Sequence, residues 1–202
     1  MKGLLLKDIY QMIRYCKIFL VIAVLFIFLA FYDQSNLFFL FFLGIIGGML
    51  PMNLLAYDEH DKWEVYACTL PYSRAQIVSV KYLIGLIIGV GLTIIAAVLM
   101  VLLPDFRGIF WDFLLILLCM TLMISGIVLP LVFKFGAAKG RLVYYAIFGA
   151  CFAISFIVAK IKESLYVAYT IDITLGNAVI AAVIFYILSW LLAVRFYKKR
   201  QF

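Results

Sequence analysis

The stretch YDEHDKWEVYACTLPYSRAQIVSVKYL, residues 57–83, is the place where charged residues crowd together between two long apolar segments. It contains four acidic residues, the one histidine of the chain and a tryptophan before the sequence becomes apolar again. Pro71 disfavours helix in the residue before it, and Ser73 with Gln76 three residues later has the spacing of a capping box. The stretch predicts a short amphipathic helix over 58–71, a sharp turn and a long helix that begins after Ser73.

The short helix would carry acids in its first turn, where the helix dipole favours negative charge. Those acids are Asp58, Glu59 and Asp61. Its apolar face would hold Trp63, Tyr66, Ala67 and Leu70 at helical spacing. Three uses remain open from the pattern alone: a face resting on the membrane interface, a docking site for a soluble partner, or a metal site built from Asp58, His60 and Asp61. No recognised ligand spacing supports the metal site.

The composition is that of an integral membrane protein. Of the 202 residues, 68% are hydrophobic and 13% are charged, and the mean hydropathy is +1.20. A soluble domain of this length is about half apolar and about a quarter charged. The net charge of +7 does not indicate a nucleic-acid partner, because the basic residues flank apolar segments and form no patch on a polar domain.

Apolar runs divide the chain into six predicted spans. A helix that crosses a bilayer needs about 20 mostly apolar residues, and it satisfies its backbone hydrogen bonds internally. The predicted spans cover residues 18–32, 37–57, 77–103, 109–133, 142–159 and 178–194. The predicted fold class is therefore all-α, a polytopic membrane protein with six helices in a domain over 18–197 and a basic tail at 198–202.

Two segments outside the spans have amphipathic character. In residues 1–17, Leu6, Ile9 and Ile13 fall at helical spacing, which predicts an amphipathic helix in the membrane interface. The segment 160–177 is too long for a tight turn, and it is either a short interfacial helix or an ordinary loop with aromatic anchors.

The distribution of Lys and Arg predicts the orientation. Fourteen of the 17 basic residues lie in four segments on one predicted side: the N-terminus, the connection after the second span, the connection after the fourth span, and the tail. The other side holds Arg107, Lys160 and Lys162. By the positive-inside rule, both termini are expected to be cytoplasmic.

The predicted spans hold few ionisable side chains away from their ends. Secondary carriers usually bury such groups to couple transport to ions, and a hydrolase needs a nucleophile with a base or metal ligands. We therefore expect no catalytic residues and no metal site. Two GxxxG pairs, Gly44 with Gly48 and Gly85 with Gly89, predict close helix packing, although the spacing leaves open whether the partner helix belongs to this chain or to a second copy.

Three parts of the sequence resemble the membrane subunit of ABC-2 type exporters of the small six-helix kind. The most specific is EVYACTLPYSRAQIVSVKYL at 64–83, which is similar to the cytoplasmic loop pattern of that family. LPLVFKFGAAKGR at 129–141 resembles the family's stretch at the end of the fourth span, and MKGLLLKDIY at 1–10 resembles its opening helix. The nearest likeness is to permeases that export phenol-soluble modulins and other antimicrobial peptides.

The resemblance implies a permease in the bacterial plasma membrane that forms a homodimer and binds two copies of a separate ABC ATPase subunit. The segment 58–71 would be the coupling helix that docks on the ATPase. The residues implied in this coupling are Asp58, Glu59, Asp61, Trp63, Glu64, Tyr66, Leu70 and Arg74. The substrate would be an amphipathic peptide of the phenol-soluble modulin type or a similar hydrophobic molecule.

The sequence contains no GxxxxGK[ST] phosphate loop. We therefore expect ATP and Mg²⁺ to be bound by the partner ATPase, and we expect no cofactor and no enzymatic activity in this chain. Two alternatives stay open. One is an ABC-2 permease for a lantibiotic, an antibiotic or a lipid, and the other is a membrane protein that does not transport, such as an immunity or scaffold protein.

Overall fold

Most of the chain whose structure is described is helical. The computed structural model describes residues 2–15, 17–32, 38–67, 69–102, 110–146, 149 and 175–199, and no strand occurs among them. The helices are α1 (Lys2–Tyr15), α2 (Lys17–Tyr32), α3 (Phe38–His60), α4 (Trp63–Ala67), α5 (Arg74–Leu102), α6 (Phe110–Phe135), α7 (137–146) and α8 (Leu175–Lys199). The predicted all-α class is confirmed for this part of the chain.

Long apolar helices make the chain a membrane protein. Three described helical segments are long and apolar enough to cross a bilayer, namely Arg74–Val101, Trp111–Phe135 and Asn177–Lys199. The number is four if α1 and α2, which meet at a bend of 67°, are taken as one broken span. The predicted six spans are thus not established, and the predicted span 142–159 lies mostly outside the described residues.

Two other predicted spans correspond to described helices that are not among these three candidates. Helix α2 has 16 residues and is about 24 Å long at 1.5 Å per residue, whereas the hydrocarbon core is about 30 Å thick. Helix α3 has 23 residues, continues through Pro51 and carries the charged residues Asp58 and Glu59 in its last turn.

Helix α6 lies at the centre of the bundle. It packs against α3, α5 and α8, while α2 lies on α3, α5 contacts α8, and α1 crosses α2, α3 and α5. The largest side chains that are fully buried come from these helices: Leu43, Met52, Leu54, Met100, Leu117, Leu129, Phe133 and Tyr197. The core thus runs along α6 from one end of the bundle to the other.

The two glycine pairs lie at contacts between helices of this chain. A methyl group at Gly44 or Gly48 would lie 2.7 or 2.8 Å from side-chain atoms of α6. One at Gly85 would lie 2.8 Å from the hydroxyl of Tyr186 on α8, and one at Gly89 would lie 2.9 Å from a hydroxyl on α6. All four glycines therefore permit a close approach that a larger residue would prevent.

One end of the bundle collects the segments that are rich in Lys and Arg. Lys7 on α1 pairs with Asp58 on α3, and Arg74 on α5 donates to the backbone of Lys198 on α8. We call this the basic end, and it comprises α1, the residues 58–76, the α6–α7 junction at 134–139, and 195–199. The structure thus brings together the segments that the charge distribution assigns to one side.

The helix boundaries near residue 58 differ from the predicted ones. Helix α3 continues to His60, so Asp58 and Glu59 lie in its last turn and not in the first turn of a separate helix. Within the rest of the predicted 58–71 helix, the five residues of α4 are the helical ones among those that the structure describes. Carboxylates at the C-terminal end of a helix oppose its dipole, and the tertiary contacts described below outweigh that local preference.

Other boundaries differ by a few residues. The predicted spans 77–103, 109–133 and 178–194 correspond to α5, α6 and α8, and α8 extends into the predicted tail as far as Lys199. Helix α7 begins five residues before the predicted 142, directly after Gly136. Gly136 has a φ of +83°, a left-handed conformation that ends α6 and that glycine adopts without strain.

Candidate functional site

The chain passes from α3 to α5 through residues 61–73, which we call the connecting segment. The Asp61 N–H donates to the Tyr57 carbonyl at 2.9 Å, and Lys62 follows with a φ of 54°. This left-handed residue turns the chain into α4, because non-glycine residues with positive φ occur mainly in turns. After α4, the Thr69 N–H donates to the Tyr66 carbonyl at 3.0 Å. The connecting segment is therefore a compact, hydrogen-bonded turn.

The predicted capping box at the start of α5 is confirmed. The Ser73 hydroxyl accepts a hydrogen bond from the Gln76 N–H at 3.2 Å, and the Gln76 side-chain oxygen accepts one from the Ser73 N–H at 2.9 Å. The two residues thus satisfy donors that the first turn of a helix leaves without partners. The long helix α5 begins at Arg74 for this reason.

Four charged residues form a closed ring beneath the connecting segment, which we call the charge ring. Lys81 on α5 lies 2.8 Å from Asp8 Oδ2 and 2.6 Å from Asp58 Oδ2 through its Nζ. Lys7 lies 3.1 Å from Asp8 Oδ1 and also pairs with Asp58 Oδ1. Each carboxylate therefore bridges both ammonium groups, and the charges alternate around the ring. The ring joins α1, α3 and α5.

The charge ring is largely removed from water. Asp8, Asp58 and Lys81 are 2%, 3% and 3% exposed, and only Lys7 reaches solvent in part. Burying unpaired charges is costly, so the balance of two positive and two negative groups is what makes this burial tolerable. Burial by itself raises the pKa of Asp58, but the ammonium groups of Lys81 and Lys7 outweigh it and hold this pKa below its ordinary value of 3.8.

Glu59, the neighbour of Asp58, contacts a different part of the fold. Its Oε2 accepts a hydrogen bond from the Ala137 N–H at the first residue of α7. A carboxylate at a helix N-terminus satisfies a donor and complements the helix dipole. The contact is tight, since a methyl group at Gly136 would lie 2.7 Å from Glu59 Oε1. Glu59 therefore ties the end of α3 to the α6–α7 junction.

The implied coupling residues divide into exposed and internal groups. Tyr66 is 56% exposed, and the side chain of Asp61 is 51% exposed beside His60, whose Nδ1 lies 3.0 Å away. Trp63 is half-buried, with the Lys7 ammonium 4.4 Å from its ring centroid, and Leu70 is also half-buried. The side chain of Glu64 lies outside the described residues.

Arg74 contacts α8. Its guanidinium donates to the carbonyl of Lys198 at 2.9 Å and to that of Tyr197 at 3.3 Å. A cation at a helix C-terminus binds the carbonyls that lack partners there. The position of Arg74 is thus explained by contacts within this chain, as are those of Asp58 and Glu59.

A notch opens beside the connecting segment, between the end of α3 and the start of α7. It has a volume of about 290 Å³ and is lined by Ala56, Glu59, His60, Ala137, Ala138 and Arg141. Residues of both charges line it. Among the described residues, no group of three or more His, Cys, Asp or Glu could hold a metal ion.

A second polar network lies between α5, α6 and α8. The Tyr186 hydroxyl donates to the Tyr82 carbonyl at 2.7 Å, and the Tyr82 hydroxyl lies 2.7 Å from Ser189 Oγ. The Trp190 Nε1–H donates to Ser79 Oγ at 3.0 Å. These side chains wall an open groove of about 280 Å³ that is completed by Leu83, Leu86 and Ile187. Because the polar atoms bond one another, the groove presents an apolar surface.

Sequence reasoning missed most of the charge ring. The count of basic residues includes Lys81 with the connection after the second span, but no local pattern pairs it with Asp8 or Asp58. A signal was present, because a Lys inside an apolar helix requires a counter-charge, and Asp8 is the one acidic residue before position 33. No spacing rule links residues so far apart as Lys7 and Asp58, which are separated by 51 positions.

A comparison of sequences identifies the family of the chain. Residues 3–198 match the family described as ABC-2 family transporter protein. The match covers nearly the whole chain, so the protein belongs to this family. It is a multi-pass membrane permease of an ABC transporter, and membership implies an ABC ATPase subunit as partner. No curated protein matches the sequence.

Proposed function

We propose that the chain is the permease of an exporter in the bacterial plasma membrane and that the connecting segment is where its ATPase docks. The observation that carries the proposal is the arrangement of the connecting segment. Its outer side presents Tyr66 and Asp61 to solvent. On its inner side, the Trp63 ring contacts Lys7 of the charge ring. A segment that transmits a movement of the ATPase must be accessible to the ATPase on one side and firmly attached to the transmembrane helices on the other.

The proposed orientation puts the basic end, and both termini, in the cytoplasm. The clustering of basic segments at this end supports it. The exposure pattern of α1 supports an interfacial position, since Leu6, Tyr10 and Ile13 face outward while Asp8 and Gln11 are buried. A helix that turns its apolar face away from the protein is suited to the headgroup boundary.

The proposed assembly is a homodimer with two copies of the ATPase, which would supply the bound ATP and Mg²⁺ and the hydrolysis. The proposed cargo is an amphipathic peptide of the phenol-soluble modulin type or a similar hydrophobic molecule. The apolar groove between α5 and α8 supports an apolar cargo, because its polar atoms are already bonded to one another. This chain would act only as the membrane path.

Co-purification tests the proposal. The tagged chain would be purified in mild detergent from its own host, and bound proteins would be identified by mass spectrometry. We expect an ATPase with a phosphate loop in equal amount. Tyr66→Ala should weaken the complex, since truncating an aromatic anchor costs about 2 kcal/mol, or about 30-fold in Kd. Trp111→Ala, which removes an aromatic side chain that is 73% exposed at the opposite end of α6, is the matched control.

A well-folded chain that brings down no ATPase would overturn the proposal. Equal loss of the ATPase with Tyr66→Ala and Trp111→Ala would place docking elsewhere. Trp63 is a less suitable target than Tyr66, because the Trp63 ring contacts Lys7 and its removal would also disturb the charge ring.

A further inference from the structure

Two adjacent carboxylates at the end of α3 bind different parts of the bundle. Successive residues of an α-helix project about 100° apart, so Asp58 and Glu59 cannot face the same neighbour. Asp58 faces α1 and α5 through Lys7 and Lys81. Glu59 faces the first N–H of α7. The last turn of α3 thus holds two separate attachments, one on each side.

The attachment through Asp58 is stiff. Each of its carboxylate oxygens contacts a different lysine, and each lysine also contacts Asp8. A closed ring of this kind cannot move one member without straining the other three, and burial prevents water from replacing a lost contact. Displacement of α3 at Asp58 must therefore carry α1 and the start of α5 with it.

The hydrogen bond of Glu59 lies at the joint between α6 and α7. Gly136, with a φ of +83°, is the single residue between α6 and α7, and a methyl group there would touch the Glu59 carboxylate. On the far side of the joint, a methyl group at Gly140 would lie 2.9 Å from the Val132 Cα, so α7 is closely packed on α6. Displacement of Glu59 therefore pulls on the N-terminus of α7 rather than on α1.

Both attachments lie next to the exposed surface of the connecting segment. Asp61 is hydrogen-bonded back to Tyr57, one residue before Asp58, and α4 follows two residues later. The Trp63 ring on α4 also contacts Lys7 of the charge ring. The chain between α4 and Asp58 is short and hydrogen-bonded, so a displacement of α4 is transmitted directly to Asp58 and Glu59.

We propose that Asp58 and Glu59 divide the movement of the connecting segment between two separate parts of the permease. Asp58 positions α1 and α5, and Glu59 positions α7. Both are positioning residues that act through their neighbours, and the inference rests on the proposed docking of an ATPase at the connecting segment. Removing one attachment should uncouple one part of the bundle and leave the other part responsive.

Distance measurements between spin labels test this division. The chain would be reconstituted with its co-purified ATPase in liposomes of phosphatidylethanolamine and phosphatidylglycerol, with its four native cysteines replaced, and diluted with unlabelled chain. One label would replace Tyr10 on α1 or Leu142 on α7, which are 65% and 70% exposed. The reference label would replace Ile180, which is 60% exposed on α8. Distances would be compared without nucleotide and with ATP, Mg²⁺ and vanadate.

The variants are chosen to keep the fold. Asp58→Asn together with Lys7→Gln removes one charge of each sign and leaves the Asp8–Lys81 pair. We expect it to reduce the nucleotide-dependent change at Tyr10 strongly and to keep the change at Leu142. Glu59→Ala should do the reverse, and Glu59→Gln, which retains an acceptor oxygen, should restore part of the Leu142 change.

The size of the expected effect follows from the strength of coupling. Coupling between sites is typically worth at least about fivefold, so we expect each variant to reduce the nucleotide-driven population shift at its own label by about fivefold or more. Asp112→Asn, the same chemical change at an exposed carboxylate of α6, should alter neither label.

The outcomes separate this inference from the proposed function. If the unaltered complex shows no distance change and no ATPase binds, the proposed docking itself fails. If the unaltered complex responds but both variants lose both changes together, or keep both, the division between Asp58 and Glu59 is wrong. The division is supported if each variant loses the distance change at its own label and retains the change at the other label.

Discussion

Lys81→Met should destabilise the protein more than any other single lysine replacement at the basic end. The change keeps most of the side-chain volume and removes the ammonium group that lies 2.8 Å from Asp8 and 2.6 Å from Asp58. Two buried carboxylates would then share Lys7 alone. Removing one partner from a buried ion pair costs about 3–5 kcal/mol, and we expect the upper part of this range because two contacts are lost.

Thermal unfolding in detergent measures the effect. The fluorescence of the three tryptophans would report the transition. For a chain of this size, 1 kcal/mol corresponds to about 2–4 °C in Tm, so the expected fall is about 10 °C or more. Lys139→Met is the matched control, because Lys139 is exposed on α7, and surface changes usually stay within about 0.5 kcal/mol. Adding Asp8→Asn to Lys81→Met restores the charge balance and should recover part of the loss.

The pH dependence provides an independent check. In the unaltered protein the pKa of Asp58 is lowered, so its contribution to stability is present above its ordinary value of 3.8 and is lost as pH falls through the lowered value. In Lys81→Met, Asp58 loses the ammonium group that contributes most to lowering its pKa, so this pKa rises. Protonation of Asp58 then removes an uncompensated buried charge from the folded state. The Tm of Lys81→Met should therefore lie closer to that of the unaltered protein at about pH 5 than at about pH 8. Equal Tm values for Lys81→Met and Lys139→Met would refute the account of the charge ring.

Two further predictions concern helix packing and capping. Gly48→Ala should destabilise the protein by about 1–3 kcal/mol through overpacking, because the new methyl would lie 2.8 Å from Ile124. Gly91→Ala, where no atom lies within 4 Å, should be neutral or stabilising by up to about 1 kcal/mol. Equal Tm values for the two variants would contradict the close contact at Gly48. Ser73→Ala removes the acceptor for the Gln76 N–H and should lower the free energy of unfolding by about 1 kcal/mol, measured as a Tm shift; Ser73→Asn should retain most of the stability.

Features that depend on neighbouring residues were predictable. Composition and apolar length indicated a membrane protein of helices, because a helix bonds its own backbone and needs only a suitable run of side chains. The capping box at Ser73 and Gln76 was predicted correctly, since its two hydrogen bonds join residues three positions apart. The grouping of basic segments was likewise readable from their order along the chain.

Features that depend on distant residues were not predictable. The acids at Asp58 and Glu59 were assigned to the start of a helix because the dipole favours them there, yet they end α3. Contacts with Lys7, Lys81 and the N-terminus of α7 outweigh the helix-dipole preference, and only the fold brings these groups to Asp58 and Glu59. A local rule cannot weigh such contacts, because they exist only after the helices pack.

The sequence by itself determined that this chain is a bundle of apolar helices with a charged connection between two of them, because hydrophobicity and capping act over one or two helical turns. Only the tertiary structure decided which charges pair and where α3 ends. A buried charge is stable only beside its counter-charge, and here the counter-charges for Asp58 come from the start of the chain and from the helix beyond the connecting segment. Packing, and no local pattern, selected those partners.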